Sequence, residues 1–432
     1  MTDSQHLSSV PHLTTALTGP LLKLESEFLA QQSKIESWFR AQWRKTPAPF
    51  YASVDLRNAG YKLAPVDTNL FPAGFNNLNT DFGPLCIQSI QSVMERDYPD
   101  AVRVLLIAEN HTRNLYYLEN IASIQSFLEQ AGFETRVGWL THEVEEVTTV
   151  QLPSQREVTL YRLQRTVNKI HVDHFDPCVI LLNNDLSSGR PELLENIKQP
   201  IIPPLEVGWS QRRKSDHCGH YEAVSAEFSK MLDVDPWLVS PLFQRCGKIN
   251  FMTREGETCL ADNVALLLGL IQKKYTTMGI EQKPFVFIKA DSGTYGMGVL
   301  AVSSPEDIFR LNRKKRSKLS AAKGGQSVSE VILQEGVHTV ETWGDNNATA
   351  EPVVYMVDHH VVGGFYRVHQ KRSTVENLNA PGMQFEPLAF AESCITPNKE
   401  LSPNASPNRF YAYGVIARLA LLAAAREIDE VR

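Results

Sequence analysis

The residues best suited to chemistry lie in a glycine-rich stretch, Phe285-Val-Phe-Ile-Lys-Ala-Asp-Ser-Gly-Thr-Tyr-Gly-Met-Gly-Val-Leu300. An apolar run ends at Lys289 and another begins at Val299, so the pattern predicts a strand, a loop and a strand. Loop N–H groups beside one lysine suit the phosphates of a nucleotide. No Gly-Lys-Ser/Thr closes the loop and no helix follows it, which excludes a P-loop and a dinucleotide fingerprint. The alternative is a tight turn whose glycines only permit positive φ.

A nucleotide under this loop would meet several further groups. Lys289 offers a charge to phosphate oxygens, with Lys248 as a second candidate, and the loop hydroxyls offer donors. One strand later, residues 334–337 could present backbone and side-chain groups to adenine and ribose. The residues predicted to bind ATP are Lys248, Lys289, Ser292, Gly293, Thr294, Tyr295, Gly296, Gly298, Gln334, Glu335 and Val337.

Reactions of ATP need a divalent ion, and Mg²⁺ prefers hard oxygen ligands. Asp67 and Asn69 stand two residues apart on a predicted strand, so their side chains face the same way and could hold Mg²⁺ together. Asp291 is a plausible third ligand, two residues past Lys289. The alternative for Asp67 and Asn69 is turn capping.

Composition bounds the class of protein. The chain has 432 residues, 43% hydrophobic and 21% charged, which is typical of a globular protein with two or three domains. A net charge of -6 gives no basic field for nucleic acid. Its six cysteines include no C-x-x-C pair, which favours reduced thiols over disulfides or zinc. We expect a soluble cytoplasmic protein without a secretory signal or membrane span, and the sequence leaves homo-oligomerisation open.

Alternating apolar β-runs and helical patterns predict an open α/β sheet between about residues 100 and 210. One amphipathic helix is expected over residues 21–43, a strand pair near 53–57 and 63–70, and an edge hairpin within 141–172. A hairpin is predicted around residue 358, and helices over 221–232, 262–278 and 411–426.

Two polar clusters have competing interpretations. Asp216-His217-Cys218-Gly-His220 invites a metal site, but without a metal-binding spacing we expect capping and packing there. The basic run Arg313-Lys-Lys-Arg-Ser-Lys could bind nucleic acid. In an acidic chain without interleaved aromatic residues, we expect a mobile lid or a solvated loop instead.

The order of these features resembles the ATP-grasp carboxylate–amine ligases. Asp67-Thr-Asn69-Leu-Phe-Pro-Ala-Gly-Phe-Asn-Asn-Leu78 resembles the Glu-x-Asn-x-x-x-Ala-x-Phe-x-x-Leu stretch of eukaryotic-type glutathione synthetases, a circularly permuted branch, with Asp here in place of Glu. Residues 375–388 are similar to the Asn-Leu-Ala-Ala-Gly-Gly segment of bacterial glutathione synthetases. This resemblance implies an α/β, ATP-grasp-like, circularly permuted fold with an inserted Rossmann-like parallel-sheet substrate domain.

Over about residues 50–390 the chain resembles the compact proteobacterial glutamate–cysteine ligases of the acidithiobacillus type. The matching segments are Asp55-Leu-Arg-Asn-Ala-Gly-Tyr-Lys62, Pro65-Val-Asp-Thr-Asn, His111-Thr-Arg-Asn114, Lys289-Ala-Asp-Ser-Gly-Thr-Tyr-Gly-Met-Gly298, Gln334-Glu-Gly-Val, Ala350-Glu-Pro-Val-Val-Tyr and Gly363-Gly-Phe-Tyr-Arg367. The resemblance implies the joining of the γ-carboxyl of L-glutamate to L-cysteine with ATP, the first step of glutathione synthesis.

Further expectations follow from this resemblance. Arg57, Lys289 and Arg367 would be catalytic, because two strand-borne guanidiniums suit a carboxylate or a transferring phosphoryl group. The residues expected to bind the amino acids are Arg57, Asn76, Asn77, His111, Arg113, Asn114, Arg367, Asn377 and Asn379. The expected units are an N-terminal arm and helix (1–48), a metal- and substrate-binding part (49–99), the parallel-sheet domain (100–245) and the nucleotide-binding region (246–432). The alternatives are glutathione synthetase, another ATP-grasp ligase, or a non-catalytic nucleotide- or sugar-binding module.

Overall fold

The computed structural model describes residues 20–110, 114–140, 146–292, 299–320, 330–344, 346–387, 396–403 and 405–431. Its helices are α1 (Pro20–Ala30), α2 (Gln32–Trp43), α3 (Gly83–Asp97), α4 (Leu115–Gln130), α5 (Lys214–Leu232), α6 (Glu257–Met278), α7 (Glu306–Phe309), α8 (Arg313–Ser320) and α9 (Ser406–Val431). Within these residues, no helix combines the length and apolarity that a bilayer crossing requires.

The strands form three main sheets and one short pair. The strands are β1 (Tyr51–Asn58), β2 (Leu63–Asn69), β3 (Arg103–Ala108), β4 (Glu134–Trp139), β5 (Val147–Gln151), β6 (Glu157–Arg162), β7 (Gln164–Thr166), β8 (Lys169–His171), β9 (Val179–Leu182), β10 (Ile201–Ile202), β11 (Phe243–Lys248), β12 (Val286–Ala290), β13 (Leu300–Val302), β14 (Glu330–Glu335), β15 (Thr342–Trp343), β16 (Ala348–Val357), β17 (His360–His369) and β18 (Gln384–Pro387).

The central sheet joins strands from distant parts of the chain. Its order is β18-β17-β16-β1-β2, with β15 paired to β16. Strand β1 is antiparallel to β16, where Val54 lies opposite Val354, and antiparallel to β2 on its other side. The strand pair predicted near residues 53–57 and 63–70 and the hairpin predicted around residue 358 are both confirmed. Helix α9 covers this sheet, and its apolar residues from Val415 to Ala425 are almost all fully buried.

The predicted α/β sheet between about residues 100 and 210 is present. Its order is β10-β9-β3-β4-β6-β5, with parallel neighbours throughout except for the antiparallel edge strand β5. Strands β3 and β9 are wholly apolar after their first residues, as expected where helices or other layers cover both faces of a strand. The antiparallel pair β5–β6 is the predicted edge hairpin.

The small sheet, of order β11-β14-β12-β13, carries the glycine-rich element. Strands β12 and β13 are antiparallel, so the predicted strand, loop and strand are confirmed at their ends, while residues 293–298 lie outside the described residues. One face of β12 and β14 packs into the core with α6 through Val286, Ile288 and Leu333. The alternate residues Lys289 and Gln334 therefore lie on the opposite face. The expected boundary at 245/246 falls inside β11.

Several elements differ from the predictions. Residues 21–43 form two helices, with a break at Gln31. Helix α3 was not predicted, although Cys86, Ile90 and Val93 bury one face of it. Helix α5 begins at residue 214 instead of 221, and α6 at 257 instead of 262. The basic run from residue 313 is a helix, not a loop, because Asn312 Oδ1 accepts a hydrogen bond from Lys315 N at 2.9 Å as an N-cap.

Candidate active site

A pocket lies between β2 of the central sheet, helix α5 and the small sheet. Three chain segments that are far apart in sequence meet there. The lining residues are Pro65, Val66, Asp67, Thr68, Trp209, Arg212, Lys214, His217, Cys218, Tyr221, Pro241, Lys289, Ile332 and Gln334. Two lysines, one aspartate and one histidine thus share one concave site, which is the arrangement expected of a binding site for a charged ligand.

Lys289 spans the pocket. Its Nζ donates to the carbonyl of Val66 at 2.9 Å and to Oε1 of Gln334 at 2.6 Å. Burial lowers the pKa of Lys289, and the charge of Asp67 opposes that shift. A lysine held by neutral oxygens can exchange them for the anionic oxygens of a ligand. Lys289 and Gln334 are therefore both in the pocket, as predicted for ATP-binding residues.

A second lysine, Lys214, begins helix α5 beside Lys289. Its ammonium lies over the ring of Trp209, 4.3 Å from the centroid. Burial lowers the pKa of Lys214 to about 8; Asp67 opposes this shift and Lys289 adds to it. Two cations in one buried pocket repel each other, so an anionic ligand between them would relieve the repulsion.

Only part of the predicted magnesium set is suitably placed. Asp67 is exposed and lines the pocket. Asn69 Oδ1 accepts from Phe71 N at 2.9 Å, which leaves one lone pair of that oxygen. Both carboxylate oxygens of Asp291 accept hydrogen bonds from Ser215, at 2.8 Å each. Asp291 thus caps helix α5 instead of facing the pocket as an open ligand.

The residues after Gln334 are held by protein contacts. The carboxylate of Glu335 forms a buried ion pair with Lys62 at 2.7 Å and accepts from Trp237 Nε1 at 3.1 Å. Burial lowers the pKa of Lys62 to about 8, against the raising effect of Glu335. The Glu335 N–H also bonds to Leu242, and the carbonyl of Val337 accepts from Arg57. Glu335 and Val337, both predicted to bind ATP, therefore make contacts within the protein next to the pocket and do not line it.

Arg57 is fully engaged within the protein. Its Nε donates to Glu351 at 3.1 Å, and its Nη1 and Nη2 donate to backbone carbonyls, including those of Val337 and Glu376. The residue is 2% exposed. In this conformation it ties β1 to residues 374–376 and has no open donor pair for a substrate carboxylate.

Arg367 lies between two carboxylates. Its Nη1 contacts Asp55 at 2.6 Å and Glu351 at 2.8 Å. Burial raises the pKa of Asp55 and the Arg367 charge opposes that shift. With Arg57 on the far side of Glu351, four charges alternate along the face of the central sheet. Among the described residues, the buried Nε of Arg367 has no hydrogen-bond partner.

The other predicted site residues have local structural contacts or lie outside the described residues. Asn76 donates to Asn77, Asn114 caps helix α4 by accepting from Tyr117 N, and Asn377 accepts from Asn379 N. Lys248 is exposed at the end of β11, and Ser292 ends a described segment. The residues outside the described part are His111, Arg113, Gly293, Thr294, Tyr295, Gly296 and Gly298.

The cluster at residues 216–220 is not a metal site in the part of the chain that the structure describes. Each side chain faces a different partner: Asp216 pairs with Arg245, His217 Nδ1 lies 3.2 Å from Glu427, and His220 Nε2 lies 3.3 Å from Glu430. The structure therefore agrees better with the prediction that these residues cap and pack than with a metal site. His217 and Cys218 nevertheless line the pocket, which the sequence did not predict.

Sequence reasoning missed the contribution of α5 to the pocket. Trp209, Arg212 and Lys214 lie directly before or at the start of this helix, and Arg212 lies 4.9 Å from the Trp209 ring centroid. The available signal was the dense basic run beside a tryptophan, before a predicted helix. That run predicts a cationic surface but does not say what it faces.

Comparisons with known proteins agree along almost the whole chain. The family model described as glutamate-cysteine ligase matches residues 25–428. A solved structure of a protein named as a gamma-glutamylcysteine synthetase, from Methylobacillus flagellatus KT, is 56% identical, with a TM-score of 0.91 over 98% of this chain and 99% of that one. No curated protein matches the chain.

Two distant structures are also similar. They are a glutathione synthetase-like effector from Globodera pallida (11% identity, 80% of this chain and 77% of that one, TM-score 0.36) and D-alanyl-alanine synthetase A from Vibrio cholerae (10% identity, 74% and 81%, TM-score 0.34). Nothing is concluded from likeness this low. The family model and the 56%-identical structure suffice: the chain belongs to the glutamate–cysteine ligase family.

Proposed function

We propose that this protein joins the γ-carboxyl of L-glutamate to the amine of L-cysteine, with ATP, through an acyl phosphate. The observation that carries the proposal is family membership over residues 25–428. The pocket supports it, because two lysines and a carboxylate converge where a nucleoside triphosphate would need them. ATP and both amino acids are metabolites of the cytoplasm, which is the proposed compartment.

The proposed architecture is a circularly permuted ATP-grasp arrangement. The small sheet and the central sheet face each other across the pocket, and the strand with Asp67 precedes the small sheet in the chain. We assign nucleotide binding to the small sheet, β11 to β14, and metal and substrate binding to the central sheet. The expected unit 246–432 is narrowed in this assignment, because its strands β16 to β18 join β1 and β2 of residues 49–99 in the central sheet. The parallel sheet between them is the proposed Rossmann-like substrate domain.

Lys289 and Lys214 are the proposed phosphate contacts. Both line the pocket, and burial lowers the pKa of each. A negatively charged phosphate would stabilise the two ammonium groups, so its binding there is favoured. Gln334 is the proposed contact toward the nucleoside, since it lies beside Lys289 and at the end of β14. The glycine-rich loop, predicted to close over the phosphates, joins β12 to β13.

The donor chemistry at β2 fits a magnesium ion. Asp67 provides an exposed carboxylate in the pocket, and Asn69 keeps one lone pair of its amide oxygen. These two residues would hold the ion, which when bound would neutralise charge on phosphate oxygens. Asp291 fits poorly, because Ser215 takes both of its carboxylate oxygens.

In the proposed reaction, the γ-carboxylate of glutamate attacks the γ-phosphorus of ATP and ADP leaves. The cysteine amine then attacks the acyl carbon and expels phosphate. Arg367 is proposed to stabilise the acyl phosphate, since its buried Nε has no partner among the described residues. Water must stay out of the pocket during the lifetime of the intermediate, which is the role proposed for the loop.

ADP release tests this function directly. The purified protein is assayed with ATP and Mg²⁺ in two sets of reactions. One set contains glutamate with cysteine, glycine or alanine as the amine, and the other contains γ-glutamylcysteine with glycine. We expect ADP only with glutamate and an amine, and fastest with cysteine. ADP formed fastest with γ-glutamylcysteine and glycine would identify a glutathione synthetase instead. If none of the pairs stimulates ADP release, the protein is not a ligase of these amino acids.

A further inference from the structure

Helix α5 and helix α9 place a charged triad beside the pocket. His217 Nδ1 lies 3.2 Å from Oε2 of Glu427, and Arg212 donates to the same carboxylate from Nε and Nη2 at 2.8 and 2.9 Å. Arg212 Nη1 also donates to the carbonyl of Thr68 at 2.7 Å, the residue that follows Asp67 on β2. The triad thus fixes one imidazole relative to the strand that carries the proposed magnesium ligand.

The contacts define the state of the imidazole. Burial opposes ionisation of Glu427, yet Arg212 and His217 lower its pKa to about 2, so the carboxylate is charged. Burial lowers the pKa of His217, so its neutral form is favoured. A neutral imidazole beside a carboxylate donates from Nδ1, which leaves the lone pair on Nε2. Among the described residues, no hydrogen bond engages Nε2, and His217 lines the pocket.

The proposed reaction needs such a group. The amine of an amino acid is an ammonium ion at neutral pH. An ammonium has no lone pair and cannot attack an acyl phosphate, so a proton must leave it within the closed site. The thiol that lines the pocket does not serve, because burial raises the pKa of Cys218, the neighbour of His217, to about 12.

We propose that His217 is the general base that takes a proton from the amine of the acceptor amino acid, and that Glu427 and Arg212 are its positioning residues. This inference rests on the proposed ligase function. A proton moves from the amine nitrogen to Nε2 of His217, and the nitrogen lone pair forms the bond to the γ-carbonyl carbon. The carbon–oxygen bond to phosphate breaks, and phosphate leaves with that electron pair. The departing phosphate takes the second proton that the nitrogen must lose to become an amide. The imidazolium then returns its proton to water or to the departing phosphate.

The charged groups around His217 are consistent with this role. Arg212 disfavours the imidazolium, whereas Glu427 and Asp67 favour it, so the ring sits between opposing charges. His220, one turn further along α5, pairs with the exposed Glu430 and does not line the pocket. A merely structural His217 would bridge α5 to α9 through Glu427 and contribute nothing specific to the amine.

Hydroxylamine separates the two roles. It is already unprotonated at neutral pH and captures the acyl phosphate as a hydroxamate without a base. In His217→Gln we expect cysteine-dependent kcat to fall by about 10²–10⁴-fold, while glutamate hydroxamate forms at nearly the wild-type rate. His220→Gln is the matched control on the same helix and should keep both rates. Far-UV circular dichroism and urea unfolding establish that each variant folds.

A second variant keeps the test independent of the glutamine substitution. His217→Ala should regain cysteine-dependent turnover when free imidazole is added, and its hydroxamate rate should not respond. Equal loss of both rates, or full cysteine turnover in His217→Gln, overturns the assignment of His217. If the wild-type protein forms no hydroxamate from glutamate and ATP, the proposed ligase function itself fails, which is a different outcome.

Discussion

Lys289 donates a hydrogen bond of 2.9 Å to the carbonyl of Val66, although 223 residues separate them in the chain. Val66 precedes Asp67, so this contact places a cation of the small sheet beside a carboxylate of the central sheet. Each residue alone is an ambiguous signal in the sequence. Their proximity is what makes a nucleotide phosphate with its magnesium ion a physically reasonable occupant of the pocket.

Lys289→Met should remove ATP turnover and preserve the fold. The side chain lies in the pocket and its ammonium donates to two neutral oxygens, so loss of its charge should lower kcat by about 10²–10³-fold. Glutamate- and cysteine-dependent ADP release is the measurement. Lys283→Met, an exposed lysine just before β12, is the control and should stay active. Wild-type turnover in Lys289→Met would remove Lys289 from the mechanism.

Asp67→Asn and Asp291→Asn should have different defects. The first removes a pocket carboxylate, so activity should require a higher concentration of Mg²⁺ with little change in stability. The second weakens the two hydrogen bonds that hold the start of α5, which should cost about 1–3 kcal/mol of unfolding free energy. Magnesium titrations of activity and urea unfolding of both variants separate them. An unchanged magnesium requirement in Asp67→Asn would contradict the ligand assignment.

The sequence predicts the features that depend on local patterns and not those that depend on contacts between distant segments. Apolar periodicity predicted β12, β14 and most of the parallel sheet, because each pattern is local to its element. The start of α5 could not be predicted, since its cap, Asp291, directly follows β12 and lies 76 residues away from Ser215 in the chain. For the same reason, the sequence did not predict that Lys214 and His217 line the pocket. The residues are recognisable in the sequence, but the pocket is completed by strands that are distant in the chain.

The partners of Arg57 and Arg367 were also not predicted from the sequence. Arg57 and Arg367 lie on strands β1 and β17, as predicted, and the sequence suggested a carboxylate or a transferring phosphoryl group as their partner. The structure supplies protein carboxylates, Asp55 and Glu351, on strands that only the fold brings together. Pairing across strands from distant parts of the chain follows from register, which residue types do not specify.

Glu351→Gln should be strongly destabilising. Glu351 accepts from Arg57 and from Arg367, and both side chains are almost entirely buried. Removing its charge leaves two guanidiniums with too few anions, which typically costs about 3–5 kcal/mol for a broken buried pair. Urea unfolding checks the value. A double variant with Arg57→Met should recover part of the loss, and a single variant as stable as wild type would show that Asp55 alone suffices.

Cys218→Ser should leave the chemistry intact. The thiol lines the pocket, but burial raises its pKa to about 12, so no thiolate forms at neutral pH. The acyl phosphate route also needs no nucleophile from the protein. We expect kcat within a few-fold of wild type, measured as ADP release with cysteine as the amine. A loss as large as that expected for Lys289→Met would indicate a covalent role for this thiol.

Acid should remove the stabilisation that Glu427 provides. Its pKa in the folded protein is about 2, below its usual 4.5, so the ionised carboxylate stabilises the fold at pH 7. That contribution, about 3 kcal/mol, is present above pH 4.5 and is lost as the pH falls toward 2, with about half gone by pH 3. The stability difference between wild type and Glu427→Gln should therefore shrink on acidification. Acid also removes stability through His217. Burial lowers its pKa in the folded protein, so the folded state disfavours the imidazolium that forms as the pH falls. Urea midpoints at pH 7, 4 and 3 measure the trend, with Glu430→Gln as an exposed control. A difference that does not depend on pH would show that Glu427 acts through packing, not through its charge.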